Sequence, residues 1–109
     1  MRIPRQDSLW NRDGSRKVFS VYIMSNNSMT LYTGVTNNLL KRTNDHKNGV
    51  GSEFTRRYHF DRCVYFENYD LIVMAIEREK QIKGITRAKK IALIKSVNPK
   101  WLDLVPTPT

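Results

Sequence analysis

Two short alternating segments, VFSVYIM from Val18 and TLYTGVT from Thr30, lie on either side of the turn formers Ser25-Asn26-Asn27-Ser28. No other stretch restricts the fold as much. In the first segment Phe19, Val21 and Ile23 share one face, and Ser20, Tyr22 and Met24 share the other. In the second, Leu31, Thr33 and Val35 oppose Tyr32, Gly34 and Thr36. Period-two alternation marks a strand, and two such runs joined by a short polar turn make an antiparallel hairpin. Pairing the apolar faces brings Tyr22 and Tyr32 together on the opposite side. Gly34, on that same side, points to the close approach of another backbone or a ligand.

The rest of the chain reads as helices packed on that hairpin. Thr36, Asn37 or Asn38 offers an N-cap for a helix running to about Asn48, ended by Gly49 and Gly51. The stretch GVGSEFTRRYH reads as a polar loop, and a third strand is expected at about residues 62–67. Asp70 is the expected cap of a second helix, LIVMAIEREKQIK, with Gly84 at its C′ position. Thr86 caps a third helix, RAKKIALIKSV, which Asn98-Pro99 ends. The order β-β-α-β-α-α predicts a small α+β domain, a three-stranded antiparallel sheet with packed helices, over residues 18–105. Residues 1–17 carry five basic and two acidic side chains and read as a flexible basic arm, with Trp10 as its large apolar anchor. Residues 106–109 read as a disordered tail.

Composition narrows the function classes. The 109 residues suffice for one compact domain. Lysine and arginine total 19 against 10 acids, a formal charge of +9, which favours a polyanionic partner. The longest apolar run, residues 71–76, is far too short to span a membrane. The first residues contain no apolar core of a secretory signal. A single cysteine, Cys63, excludes an internal disulfide and a multi-cysteine zinc site, and a reducing cytoplasmic setting is expected.

Several polar residues occupy unexpected positions. Ile72, Ala75, Ile76 and Ile82 define the apolar stripe of the second helix, and Glu79 falls within it. A carboxylate there must be paired, hydrogen-bonded or metal-bound, or else reach solvent beside Arg78 or Lys83. Arg42 and His46 stand one turn apart on the first helix, either as a solvated polar face or as a guanidinium and an imidazole for phosphate chemistry. Tyr22 and Tyr32 are equally at home on a half-exposed strand face. Taken together, two phenols, Arg, His and one carboxylate suffice for phosphodiester hydrolysis around a single, largely hydrated Mg²⁺.

These residues resemble the GIY-YIG nuclease family. Ser20-Val21-Tyr22 stands at the GIY position and Tyr32-Thr33-Gly34 at the YIG position, with a ten-residue step from one tyrosine to the other. An arginine follows ten residues after the second tyrosine, and a histidine four beyond it. Residues 78–83, REKQIK, are similar to the helix that bears the family's metal-binding glutamate. The tail, TRAKK followed by NPKWLDL, is similar to that of small stand-alone bacterial excinuclease-like proteins. The match spans about residues 18–104; Ser20 departs from the first motif glycine and Thr33 from the middle residue of the second motif.

The resemblance implies a metal-dependent endonuclease that cuts one DNA strand per active site, in repair or processing; the sequence by itself does not set DNA apart from RNA. It assigns Tyr32 to activate water and Tyr22 to orient water or phosphate. Arg42 would hold the scissile phosphate, and His46 would assist proton transfer. Glu79 would bind one Mg²⁺ or Mn²⁺. Asn98 stands where an active-site asparagine could fall, or is simply a helix-ending cap. Arg56 and Arg57 in the loop, with Lys83, Arg87, Lys89 and Lys90, are the expected nucleic-acid contacts. No separate base-reading motif is present, so a non-catalytic nucleic-acid-binding module, or a nuclease subunit that a protein partner targets, is the competing expectation.

Overall fold

A computed structural model of the chain describes residues 14–106, and the fold is described from it. Most of the expected N-terminal arm, including Trp10, and residues 107–109 of the expected tail lie outside the described residues. The elements are β1 (Phe19–Ser25), β2 (Tyr32–Thr36), α1 (Leu39–Lys47), α2 (Glu53–Tyr58), β3 (Arg62–Tyr69), α3 (Ile72–Gly84) and α4 (Arg87–Val97). The sheet is antiparallel throughout, in the order β2-β1-β3.

β1 is the central strand, and both of its faces are covered. This is why FSVYIMS contains so little polarity: every residue from Ser20 to Ser25 is buried. Val21 and Ile23 face a core completed by Val64, Tyr65, Ala75, Ile82 and Ile94, so α3 and α4 form the layer on that side. Tyr22 and Met24 face a second core with Phe60 and Cys63, against which Tyr32 and Leu39 pack. The hairpin therefore separates two cores. The register pairs Tyr22 with Gly34 and Met24 with Tyr32, which sets the two tyrosines diagonally on one face. The turn is knitted by Asn26, whose Oδ1 accepts from Ser28 N and Thr30 N while Nδ2 donates 2.6 Å to the Tyr58 carbonyl.

Caps account for most helix starts. Asn38 caps α1 by accepting from Lys41 N, and Thr86 caps α4 by accepting from Lys89 N. Three details differ from the sequence expectation. The stretch read as a polar loop contains α2, started by Ser52 accepting from Thr55 N. Asp70 does not cap α3; the N-cap is Leu71, and Asp70 faces Arg16 at 3.6 Å instead. The α3 stripe is also shorter than its pattern: Ala75 and Ile82 are buried, but Ile72 is 48% exposed, and Val73 and Met74 in the same first turn are exposed with it.

The C-terminal segment straps the outer side of β3. Cys63 N donates to Asp103 Oδ1 at 3.0 Å, and Leu104 N donates to the Cys63 carbonyl at 2.8 Å. Lys47 Nζ lies 2.7 Å from Asp103 Oδ2 and donates to the Val105 carbonyl, tying α1 to the strap. This protects an edge that would otherwise expose unpaired backbone groups.

Candidate active site

The Tyr22 side chain leaves β1 toward α1 and crosses the backbone of β2 at Gly34. A Cβ at residue 34 would lie 2.5 Å from Tyr22 Oη and 2.7 Å from Cζ, closer than such contacts allow. The close approach expected at Gly34 is thus made by the first motif tyrosine. Tyr22 Oη then meets His46 Nε2 at 2.8 Å. Both side chains are enclosed, with Tyr22 1% and His46 0% exposed.

Tyr32 and Arg42 complete the group on its open side. The Tyr32 ring centroid is 4.9 Å from that of His46 and 6.3 Å from that of Tyr22. Arg42, one helical turn before His46, interacts with both phenols and is only half-buried. The guanidinium runs along Gly51: both terminal nitrogens lie 3.6 Å from where a Cβ on that residue would be. Gly51 has a φ of +132°, which disfavours any side chain there. Phe60 and Phe54 wall the group from the α2 side, 5.9 and 6.1 Å from Tyr32.

Burial sets the protonation states. The His46 pKa falls to about 4, first because the ring is desolvated and second because Arg42 is near, so the imidazole is neutral at pH 7. Desolvation likewise raises the Tyr22 pKa well above the usual phenol value, outweighing the opposing pull of Arg42. A protonated Tyr22 donates its hydroxyl proton to Nε2, which places the ring proton of His46 on Nδ1. That Nδ1 is buried without a hydrogen-bond partner among the described residues.

Glu79 belongs to the other layer. Its side chain is 16% exposed, with Oε1 3.5 Å from Lys83 Nζ, so it is paired as well as largely covered. The preceding residue, Arg78, is held firmly: its Nε and Nη2 reach Glu67 at 3.0–3.1 Å, and the Tyr65 and Tyr69 hydroxyls donate to the same carboxylate. This clamp fixes the rotation of α3 against β3. No group of three or more His, Cys, Asp or Glu among the described residues could hold a metal. A single carboxylate suits Mg²⁺, which keeps most of its water, and does not suit a closed zinc site.

Asn98 is the C-cap of α4, and its amide is engaged locally: Nδ2 donates to the Val64 and Leu102 carbonyls and Oδ1 accepts from Leu102 N. The geometry supports the helix-ending alternative for this residue. The basic residues divide between layers. Arg56 and Arg57 are exposed on α2, beside the tyrosine–histidine group. Lys83, Arg87, Lys89 and Lys90 belong to α3 and α4; Lys83 faces Glu79, and Arg87 donates to the Met29 carbonyl. The sequence reading missed Phe54, Phe60, Gly51 and the Glu67 clamp. Only the aromatic pair left a trace, as two phenylalanines in an otherwise polar stretch.

Comparison with known proteins agrees with this arrangement. Residues 18–92 match the family described as the GIY-YIG catalytic domain. A UPF0213 protein of Clostridium perfringens is 45% identical over 76 residues, covering 70% of this chain and 82% of that protein. A UPF0213 protein of Natronomonas pharaonis is 39% identical over 74 residues, covering 68% and 87%. The solution NMR structure of a UPF0213 protein from Bacillus halodurans superimposes with a TM-score of 0.51 at 28% identity, covering 77% of this chain and 89% of that one. With the motif tyrosines, Gly34, Arg42 and His46 gathered at one end of the hairpin, the chain belongs to the GIY-YIG family, as one of its small UPF0213-type members.

Proposed function

We propose that the protein is a divalent-metal-dependent endonuclease that hydrolyses one strand of DNA per active site. The observation that carries this reading is the division of the four clustered residues. Tyr22 and His46 are sealed, whereas Tyr32 and Arg42 remain open to a substrate. A purely structural cluster has no reason to keep a guanidinium and a phenol at its mouth.

Arg42 binds the non-bridging oxygens of the scissile phosphate and neutralises the charge that builds up on them. The Tyr32 hydroxyl takes a proton from the attacking water and passes its own to solvent as the water oxygen bonds to phosphorus. The bond to the 3′ oxygen breaks, leaving a 5′-phosphate and a 3′-hydroxyl that takes its proton from solvent. Tyr22 and His46 do not exchange protons with the substrate. Their hydrogen bond positions the phenol that holds Arg42, and a neutral imidazole keeps a second positive charge away from it. Glu79 is the residue that would hold the metal, displacing Lys83, whose side chain is more than half exposed and free to swing away. The bound Mg²⁺ or Mn²⁺ would supply Lewis-acid stabilisation of the leaving oxygen.

The +9 charge supplies non-specific attraction to the phosphate backbone, with Arg56 and Arg57 contributing from α2. DNA repair or processing is the setting this activity suits, with targeting left to a protein partner. Supercoiled plasmid tests the reading. Wild type converts it to nicked circles at low salt with Mg²⁺, and Arg42→Ala lowers the rate at least 100-fold with an unchanged thermal midpoint. Equal nicking by both proteins would overturn it.

A further inference from the structure

Arg42 stands between two cavities of different chemistry. One, of about 170 Å³, is polar: Lys41 and Asp45 line it together with the N-terminal end of α1. The other, of about 290 Å³, is bounded by Phe19, Val35 and Ile72 on its apolar side. Thr36, Asn37 and Arg42 line both, so the two adjoin at these residues. The site chemistry described above uses the guanidinium and leaves the apolar compartment without a role.

The geometry points to this compartment as a binding site for one unpaired nucleoside, the sugar and base attached to the phosphate that Arg42 holds. The inference rests on the assignment of Arg42 to the phosphate. Three observations carry it. The volume is at the lower end for small-molecule clefts and admits one nucleoside-sized group. A polar compartment in which Arg42 supplies the cation, Lys41 being paired with Asp45 at 3.1 Å, joins an apolar one through shared polar residues and repeats the order of a nucleotide: phosphate, hydroxylated sugar, flat apolar base. Ile72, 48% exposed at the start of α3, is an aliphatic surface with no partner in either core, and exposed Asn37 offers an amide at the junction. A base whose face lies against Phe19, Val35 and Ile72 has left the stack of a duplex. The substrate strand must therefore present an unpaired nucleotide beside the cut, as in a single strand, a flap or a gap.

An NMR titration of the intact chain with thymidine 5′-monophosphate, thymidine and inorganic phosphate tests this. Phosphate is expected to shift Lys41 and Arg42 only. Thymidine 5′-monophosphate shifts these and also the Ile72 methyls and the Asn37 side-chain amide, and binds about tenfold more tightly than phosphate. Ile72→Ser, at a position exposed enough to tolerate it, removes that tenfold advantage and leaves phosphate affinity unchanged. Equal affinities with the Ile72 methyls unmoved, or no binding of the nucleotide, would overturn the proposal. The nuclease reading fails separately: nucleotide binding without any cleavage of DNA refutes catalysis alone, and cleavage with the nucleotide treated as bare phosphate refutes the compartment alone.

Discussion

The Tyr22 phenol fills the space that a Cβ at residue 34 would need, and it is itself enclosed by Phe60 and His46. Gly34→Ala must therefore push the ring off its hydrogen bond to His46. We expect a loss of about 1–3 kcal/mol, read as a lower urea midpoint at unchanged slope. A Gly34→Ala variant as stable as wild type would show that the ring has room to move. His46 supplies a pH signature. Its folded pKa of about 4 lies below the unfolded value of about 6.5, so the unfolded chain binds the extra proton. Its contribution is complete above about pH 6.5 and is lost as the pH falls toward 4, amounting to about 2–4 kcal/mol. His46→Gln should flatten the stability profile across that window. A profile that keeps its full slope in the variant would assign the effect to other groups.

At the scale of elements, α3 is held by the clamp of Glu67 on Arg78 together with the buried Ala75 and Ile82, while its first turn lies outside the core. Glu67→Gln keeps the shape and removes the charge, leaving a half-buried guanidinium without its anion. A cost of about 1–3 kcal/mol is expected, seen as a fall of several degrees in the thermal midpoint. An unshifted midpoint would mean that packing alone seats the helix. The hairpin and α4 were legible in the sequence because local signals agree there: strict alternation in one case, Thr86 and Pro99 as boundaries in the other. By contrast α2 was illegible. Its six residues carry no repeating apolar period, and Ser52 followed by Glu53 was the sole local cue. What stabilises it is tertiary: Phe54 against Tyr32, and the Tyr58 carbonyl bound by Asn26 in the hairpin turn. Asp70 is not the cap because α3 starts one residue later than its pattern suggested, with Leu71 at the N-cap, and the Asp70 carboxylate faces Arg16 instead.

Across the whole molecule, the spacing of Tyr22, Tyr32, Arg42 and His46 was readable because β1 and β2 pair in register and α1 follows directly. What spacing could not convey is which of the four are sealed. That depends on Phe54 and Phe60, which arrive from a segment with no pattern of its own, and on backbone that passes close to Tyr22 and Arg42. The charge distribution leads to a molecular-scale expectation as well. Because the formal charge is +9, DNA binding should weaken steeply between about 50 and roughly 200 mM salt, by about 10²-fold or more. A flat salt response would argue against phosphate-dominated recognition. The central claim is that these residues form a metal-dependent nuclease, and its most direct test pairs wild type with Glu79→Ala on labelled single-stranded, duplex and branched DNA. With Mg²⁺ or Mn²⁺ the wild type should cut, EDTA should stop it, and Glu79→Ala should bind the same DNA without cutting. Undiminished cutting by Glu79→Ala, or cutting that persists in EDTA, would contradict the account.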